Sequence, residues 1–438
     1  MAQRRVRTLW TDLNGLTHGR YIPSSRFDHP THHAVTTLAM SPEGEILPLA
    51  GYSADVGFPD LAAVPLADTR RPGWEPDTDV AVCELRYRDG EPLAICPRAA
   101  LVRAVEGWRA LGFEPHLGFE LELYVLEHDE QAPGGWRTAG APGHRVYGCG
   151  LGGDPTGLAL EFFDTIEAMG IGLEGVLTEF SPGQMEINLS YGPALAAADD
   201  AQLVKEMTRE VAARRGYHVT YLGRPDTASV GSGLHINVSF TPIDGGANVL
   251  EDTSRPDGLS TLARQAIGGL MQHHEAVAGL SAPLVNSYKR LMPGLIAGYW
   301  ANWGLDNRFA TYRVPAERGP ATRIENRMPC GTANPYLATA ATLNAALLGV
   351  VDGADCGNPQ IGDADAAPNT NRHAPHTLAD ALDAVEADTV LTEAMGPELV
   401  AAYVALRRHE VARWEAAGER WDPEQVSAWE LERYLRYY

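Results

Sequence analysis

The chain has 438 residues, 45% hydrophobic and 21% charged, enough for one large or two ordinary domains with real cores. Its formal net charge of −22 disfavours nucleic acid and anionic membranes as partners, because phosphate binding needs a basic surface. No apolar run approaches the roughly 20 residues of a membrane span. The five cysteines (Cys83, Cys96, Cys149, Cys330, Cys356) include no CxxC pair, and no apolar segment follows the basic start. We therefore expect reduced thiols, no secretory signal and a cytoplasmic location.

In chain order, Arg5–Trp10 alternates polar and apolar and reads as a strand, Asp12–Gly15 as a turn and Thr17–Ile22 as the returning strand. Residues 41–77 are rich in Pro, Gly and Asp and read as a long, partly irregular loop. A second hairpin follows, Asp79–Tyr87 and Leu93–Cys96 around Arg88-Asp89-Gly90. From Arg98 to Leu111 the period becomes helical, with Leu101, Val105, Trp108 and Leu111 on one side and Gly112 as the stop. Then come a strand at 117–126, a Gly-rich loop at 133–157, a helix at 156–169 and a strand pair near 176–190. A helix at 193–215 places its charged residues outward. A strand at 232–240 and helices at 259–280 and 334–351 follow. Residues 352–376 read as a loop, and the tail as helices near 390–417 and 423–437.

Four stretches carry chemistry. In Arg323-Ile324-Glu325-Asn326-Arg327 an extended backbone puts both arginines and Glu325 on one face, amid further arginines at 308, 313 and 318. That pattern is either a surface ion-pair ladder or a site for anionic groups and a metal together. Gly118–Tyr124 alternates so that Glu120 and Glu122 share a face, about 7 Å apart, where they repel unless a cation lies between them. Glu179-Phe180-Ser181-Pro182-Gly183-Gln184-Met185-Glu186-Ile187-Asn188 supplies a carboxylate, a turn, then Gln184, Glu186 and Asn188 on one face. Gly231–Ser239 does the same with His235, Asn237 and Ser239, behind two glycines that allow close backbone approach. Carboxylates, one histidine and several arginines together suit two hard cations, phosphates and a carboxylate substrate, the parts phosphoryl transfer needs. No Walker-type loop is present.

The motifs FELELYVLE (119–127), EFSPGQMEINLSYG (179–192), GSGLHINVS (231–239), NSYKRLMPG (286–294), DNRFATYRVP (306–315) and RIENRMPCGTANPYLA (323–338) resemble those of the glutamine synthetase superfamily, in the family's order. DLNGLTHGRYIP (12–23) and GFPDLAAVP (57–65) resemble its small β-grasp domain, and VSAWELERYL (426–435) resembles the γ-glutamylpolyamine and γ-glutamylamide synthetase branch. The resemblance implies an α+β fold: a β-grasp domain over residues 1–97, and a catalytic domain over 98–438 with a curved antiparallel sheet backed by helices. It implies a ligase that phosphorylates the glutamate γ-carboxylate with ATP and lets a nitrogen nucleophile displace phosphate. It implies two or three Mg2+ or Mn2+ ions per site, one held by Glu122, Glu179 and Glu186 and another by Glu120, His235 and Glu325. Arg290, Arg327, Gly231 and Glu122 would hold glutamate. Arg313, Arg323, Asn237 and Ser239 would contact ATP. Arg308, Glu325 and Arg327 would act in catalysis. The expected assembly is a homo-oligomeric ring, a dodecamer, hexamer or decamer, with sites shared between subunits.

Four departures from the family pattern bear on substrate. Ile296 stands where the family has the glutamate of a closing flap. Ala50 is nearest its ammonium-binding aspartate, Asn237 replaces the second histidine of HxH, and Cys330 replaces the aspartate of R-x-P-D. The first two remove negative charge from the nitrogen site, which favours an organic amine over ammonium, with Trp300 and Trp303 as nearby aromatic candidates. Ammonium-dependent glutamine synthesis, a different acid substrate and a non-catalytic relative are the competing readings.

Overall fold

The computed structural model describes residues 5–438; the first four residues, part of the basic start read for a signal, lie outside it. The chain forms β1 (Arg5–Thr11), β2 (Thr17–Pro23), β3 (Thr31–Ala34), β4 (Asp60–Pro65), β5 (Arg71–Pro72) and β6 (Thr78–Arg86). They make one sheet in the order β2-β1-β6-β4-β3, with β5 also on β6 and β1 parallel to β6. The first hairpin is as expected. The loop expected at 41–77 contains β4, whose Ala63 packs fully buried against β6. The strand expected at 93–96 is absent: Leu93 and Ile95 are buried, but Cys96 N–H closes a turn onto the Leu93 carbonyl.

Next come α1 (Pro97–Ala110), β7 (Phe113–His128), β8 (Trp136–Thr138), α2 (Leu158–Ala168), β9 (Leu173–Thr178), β10 (Gln184–Leu189), β11 (Gly192–Pro193) and α3 (Ala194–Arg214). β12 (His218–Thr220), β13 (Leu234–Pro242), α4 (Thr261–Gln272), α5 (His274–Ser281), β14 (Trp303–Leu305), β15 (Tyr312–Val314), β16 (Ile324–Asn326) and α6 (Pro335–Asp352) follow. The second sheet runs β14-β15-β16-β13-β7-β10-β9, with β8, β11 and β12 also on β7. All its pairs are antiparallel except β14 with β15. The tail forms α7 (Leu378–Ala387), α8 (Thr389–Met395), α9 (Pro397–Ala416) and α10 (Ala428–Tyr434). The α+β class expected from sequence is the one observed.

Helix α1 shows why the local sequence folds this way. Pro97 starts it with a preset φ, Leu101, Val105 and Trp108 are buried, and Gly112 stops it at φ 87°. Trp108 stacks on Phe240 of β13 at 3.9 Å between ring centroids, so the helix is bolted to the sheet that carries the site. Three helical expectations need correction. The single helix expected over 259–280 breaks at His273, whose ring is held by Asp388 at 2.6 Å. Gly396, at φ 101°, and Pro397 split the tail helix. On α3, Asp199 and Lys205 do not face outward. Asp199 pairs with Arg98, and Lys205 is buried, donating to the carbonyls of Gly331 at 2.7 Å and Ala333 at 2.9 Å. Burial pushes the Lys205 ammonium far below its ordinary pKa.

Candidate active site

The site grows from strand register. Directly opposite residues have Cβ atoms about 5 Å apart and face the same way. Glu186 of β10 lies opposite Glu122 of β7, and Asn188 opposite Glu120. On the other edge of β7, His235 of β13 lies opposite Glu120. Asn237 then lies opposite Glu325 of β16, and Glu325 opposite Arg313 of β15. Alternation put each set on one face of its own strand; pairing lays the sets edge to edge across five strands.

The contacts follow. His235 Nδ1 is 2.9 Å from Glu120 and 3.9 Å from Glu325, while Nε2 is 3.7 Å from Glu122. Glu325, fully buried, accepts from Arg313 Nη1 at 2.7 Å and from Arg327. Asn237 donates to Glu120 at 3.0 Å and accepts from Arg323 Nε at 3.1 Å. Gly233 N–H donates to Glu122 at 2.6 Å. Arg290, 2% exposed, directs its guanidinium at the carbonyls of Met328 (2.8 Å) and Arg327 (3.0 Å). It fits because Gly231 and Gly233 leave it space: a Cβ on Gly231 would lie 2.4 Å from Arg290 Cγ.

Charge is unbalanced on the β10 side. Arginines neutralise Glu325, and His235 with Asn237 holds Glu120 well below the usual carboxylate range despite its burial. Burial, then the Glu122 charge, raises Glu179 to about 7. Burial, then the charges of Glu122, Glu120 and Glu179, pushes Glu186 well above the usual range. Carboxylates crowded this way call for a cation. Among the described residues, two groups have ligand atoms within 4.8 Å of one another: Glu120, His235 and Glu325, and Glu122, Glu186 and His235. The first is the set implied from sequence. The second takes His235 where Glu179 was expected; Glu179 lies outside that distance, although its charge is felt by Glu186. The donors, carboxylate oxygens with one imidazole, fit Mg2+ or Mn2+.

A cavity of about 350 Å³ opens beside this row, lined by Glu120, Asn237, Ser239 and Arg323, a size suited to a small-molecule ligand. Arg313 is not part of its wall, being engaged by Glu325 and Asp306. Arg308 is exposed, close enough for its charge to act on Glu179. Arg318 is turned to the carbonyls of Asp257, Pro315 and Glu317 and stays out of the row. Trp303 is fully buried, donating to the Cys356 carbonyl at 2.9 Å, and is structural. Sequence reasoning missed His116, Glu174 and Tyr191 in the cavity wall; it found Gln184 but not its contact, a hydrogen bond donated to the Gly231 carbonyl at 3.1 Å. Gln184 was visible as the face-mate of Glu186. The wall residues gave no signal, because His116 on β7, Glu174 on β9 and Tyr191 after β10 are brought to one cavity only by the assembly of the sheet.

Among the described residues, no helix is long and apolar enough to cross a membrane. The family "Glutamine synthetase, catalytic domain" matches residues 94–434. A glutamine synthetase of Thermotoga maritima is 30% identical over 450 residues, covering 99% of this chain and 96% of that protein. A glutamate–isopropylamine ligase of a Pseudomonas species is 30% identical over 388 residues, covering 87% and 82%. The solved structure "Apo GmaS without ligand" superposes with a TM-score of 0.82 at 26% identity, covering 99% of this chain and 96% of its own. Enzymes of this family depend in general on ATP and a divalent metal. With the motifs in order and the carboxylate–arginine row assembled, the chain belongs to the glutamine synthetase family and is an ATP-dependent carboxylate–amine ligase.

Proposed function

We propose that the enzyme joins the γ-carboxyl of glutamate to an organic amine. A γ-carboxylate oxygen attacks the terminal phosphorus of ATP and ADP leaves. The amine nitrogen then attacks the acyl carbon of the γ-glutamyl phosphate, phosphate departs with the C–O bond, and the nitrogen gives up a proton. Divalent ions supply charge neutralisation for the phosphates; Glu120, His235 and Glu325, and Glu122 and Glu186 with Glu179 nearby, would hold them. Arg313, Arg323, Asn237 and Ser239 serve ATP, Arg290, Arg327, Gly231 and Glu122 serve glutamate, and Arg308 with Arg327 meets charge on the moving phosphoryl group. The acyl phosphate must be kept from water, which a loop over the site can do. We also propose the division of the chain at residues 97/98 and a homo-oligomeric ring, for which the exposed Ile46, Val56 and Phe58 are candidate contacts.

One observation carries the choice of amine. Residues 291–299, which leave from Arg290 and return beside Arg327, contain no acidic residue, and their exposed large apolar side chain is Ile296. Holding ammonium requires nearby negative charge, whereas an isoleucine gains about 0.8 kcal/mol for each methylene of an amine it covers. The likeness to a glutamate–isopropylamine ligase supports this reading, and the likeness to a glutamine synthetase favours ammonium as the second reading. Phosphate release with ATP, glutamate and Mg2+, across ammonium and short, hydroxylated, polyamine and aromatic amines with products weighed by mass, tests it. Turnover with one organic amine and little with ammonium is expected. Turnover only with ammonium refutes it.

A further inference from the structure

The loop 291–299 has little regular structure to hold it. Three of its residues, Gly294, Ile296 and Gly298, have positive φ (83°, 53° and 83°), and for a β-branched isoleucine that is a costly conformation. It begins at Arg290, which fills the space left by Gly231 and Gly233. It ends at Gly298, where a Cβ would lie 2.8 Å from the Cα of Met328. Both ends are therefore fixed to the site, and Ile296 stands 41% exposed between them.

One side chain ties the two legs together. Asp365, far along the chain in the segment after α6, accepts from the Gly294 backbone N–H through Oδ2 at 2.8 Å. It accepts from the Trp300 indole N–H through Oδ1, also at 2.8 Å. Asp365 is itself presented by a turn in which Asp363 accepts from its backbone N–H at 2.8 Å. The same segment also secures the returning leg at the loop's last residue. Ala374 N–H donates to the Tyr299 carbonyl at 2.7 Å, and His373 stacks on Tyr299 at 4.9 Å between centroids.

We infer that Asp365 is a positioning residue: it clamps the loop 291–299, holds Ile296 in its strained conformation over the nitrogen side of the site, and so governs how well the acyl phosphate is shielded from water. This rests on the ligase reading above. Removing the clamp frees the strained tip, so water enters as a competing nucleophile while the carboxylate and arginine row stays intact.

The test compares wild type with Asp365→Ala, Asp365→Asn and Trp300→Phe in two measurements. The first is hydrogen exchange of peptides spanning 291–300, which needs no substrate. Loss of hydrogen bonds to a charged acceptor should speed exchange there by about tenfold or more in Asp365→Ala, with a smaller effect in the other two, each of which removes one bond. The second is the ratio of phosphate released to amide formed, with whichever nucleophile wild type accepts, ammonium included. The ratio should rise severalfold in Asp365→Ala, with the KM for the nucleophile rising more than that for ATP. Exchange within twofold of wild type overturns the clamp. Faster exchange with an unchanged ratio overturns its role in shielding. If wild type forms no amide with any nucleophile, the ligase reading fails, and the exchange measurement alone decides the clamp.

Discussion

Replacing Gly233 by alanine tests whether the site is built by close packing around two glycines. The added Cβ would lie 2.5 Å from Arg290 Nη2 and 2.8 Å from His235 Nε2. Neither neighbour is free to yield. Arg290 is 2% exposed and engaged by two carbonyls, and His235 is 3% exposed and held by Glu120 at 2.9 Å. Overpacking of this kind costs about 1–3 kcal/mol, and a broken hydrogen bond to the guanidinium adds about 1.5–3 kcal/mol. With an unfolding entropy near 2 cal/mol/K per residue, a chain this long loses about 1 °C of Tm per kcal/mol, so a fall of about 3–6 °C is expected. A displacement of about 1 Å at Arg290 and His235 should lower kcat/KM for glutamate about a hundredfold. Thermal unfolding and phosphate-release kinetics read both effects. Gly175→Ala on β9, where a Cβ meets nothing within 4 Å, is the control. Kinetics within twofold of wild type and a Tm within 1 °C would refute the packing argument.

Three further outcomes follow from particular residues. Glu430 of α10 pairs with buried Lys289 and accepts from Asn286 at 2.9 Å, so Glu430→Ala should cost about 3–5 kcal/mol in denaturant unfolding; Lys289→Met with Glu430→Leu should recover most of it. Glu179, raised to about 7, and Glu186, raised further, must shed protons to bind a cation. Calorimetric titration of the metal-free protein with Mg2+ at pH 7 should therefore release about one to two protons per site, and heats identical in buffers of different ionisation enthalpy would contradict this. Burial lowers His274 from 6.5 to about 4. Between those values the unfolded chain binds more protons, so this stability is complete above pH 6.5 and is lost as pH falls toward 4. His274→Gln should shrink the stability difference between pH 7 and pH 4.5 by about 2.5 kcal/mol, and an unchanged difference would exclude His274 as a source of acid sensitivity.

Period-2 alternation was enough to find Glu120 with Glu122, Gln184 with Glu186, and His235 with Asn237, because a strand fixes the face of every second residue. It could not show that Glu186 faces Glu122, or that His235 stands close enough to replace Glu179 in the second cluster; register between distant strands decides that. Lys205 was read as an outer-face charge because helical spacing says nothing about which elements cover the helix; here the backbone at 331–333 does. The strand β4 was hidden in a Pro- and Gly-rich stretch whose composition signals turns, while its pairing to β6 is a long-range contact. Residues 352–376 were correctly read as a loop, but nothing local marked Asp365 as the residue that ties Gly294 to Trp300.

The central claim is the choice of nucleophile, and direct competition tests it best. Wild-type enzyme with saturating ATP, glutamate and Mg2+ would receive ammonium and the best organic amine together at equal concentration, and the two amides would be counted by mass. The organic amide should predominate by at least about tenfold, and Ile296→Glu, which restores a carboxylate to the loop, should move the ratio toward glutamine. Glutamine as the main product of wild type, with Ile296→Glu leaving the ratio unchanged, would contradict the claim.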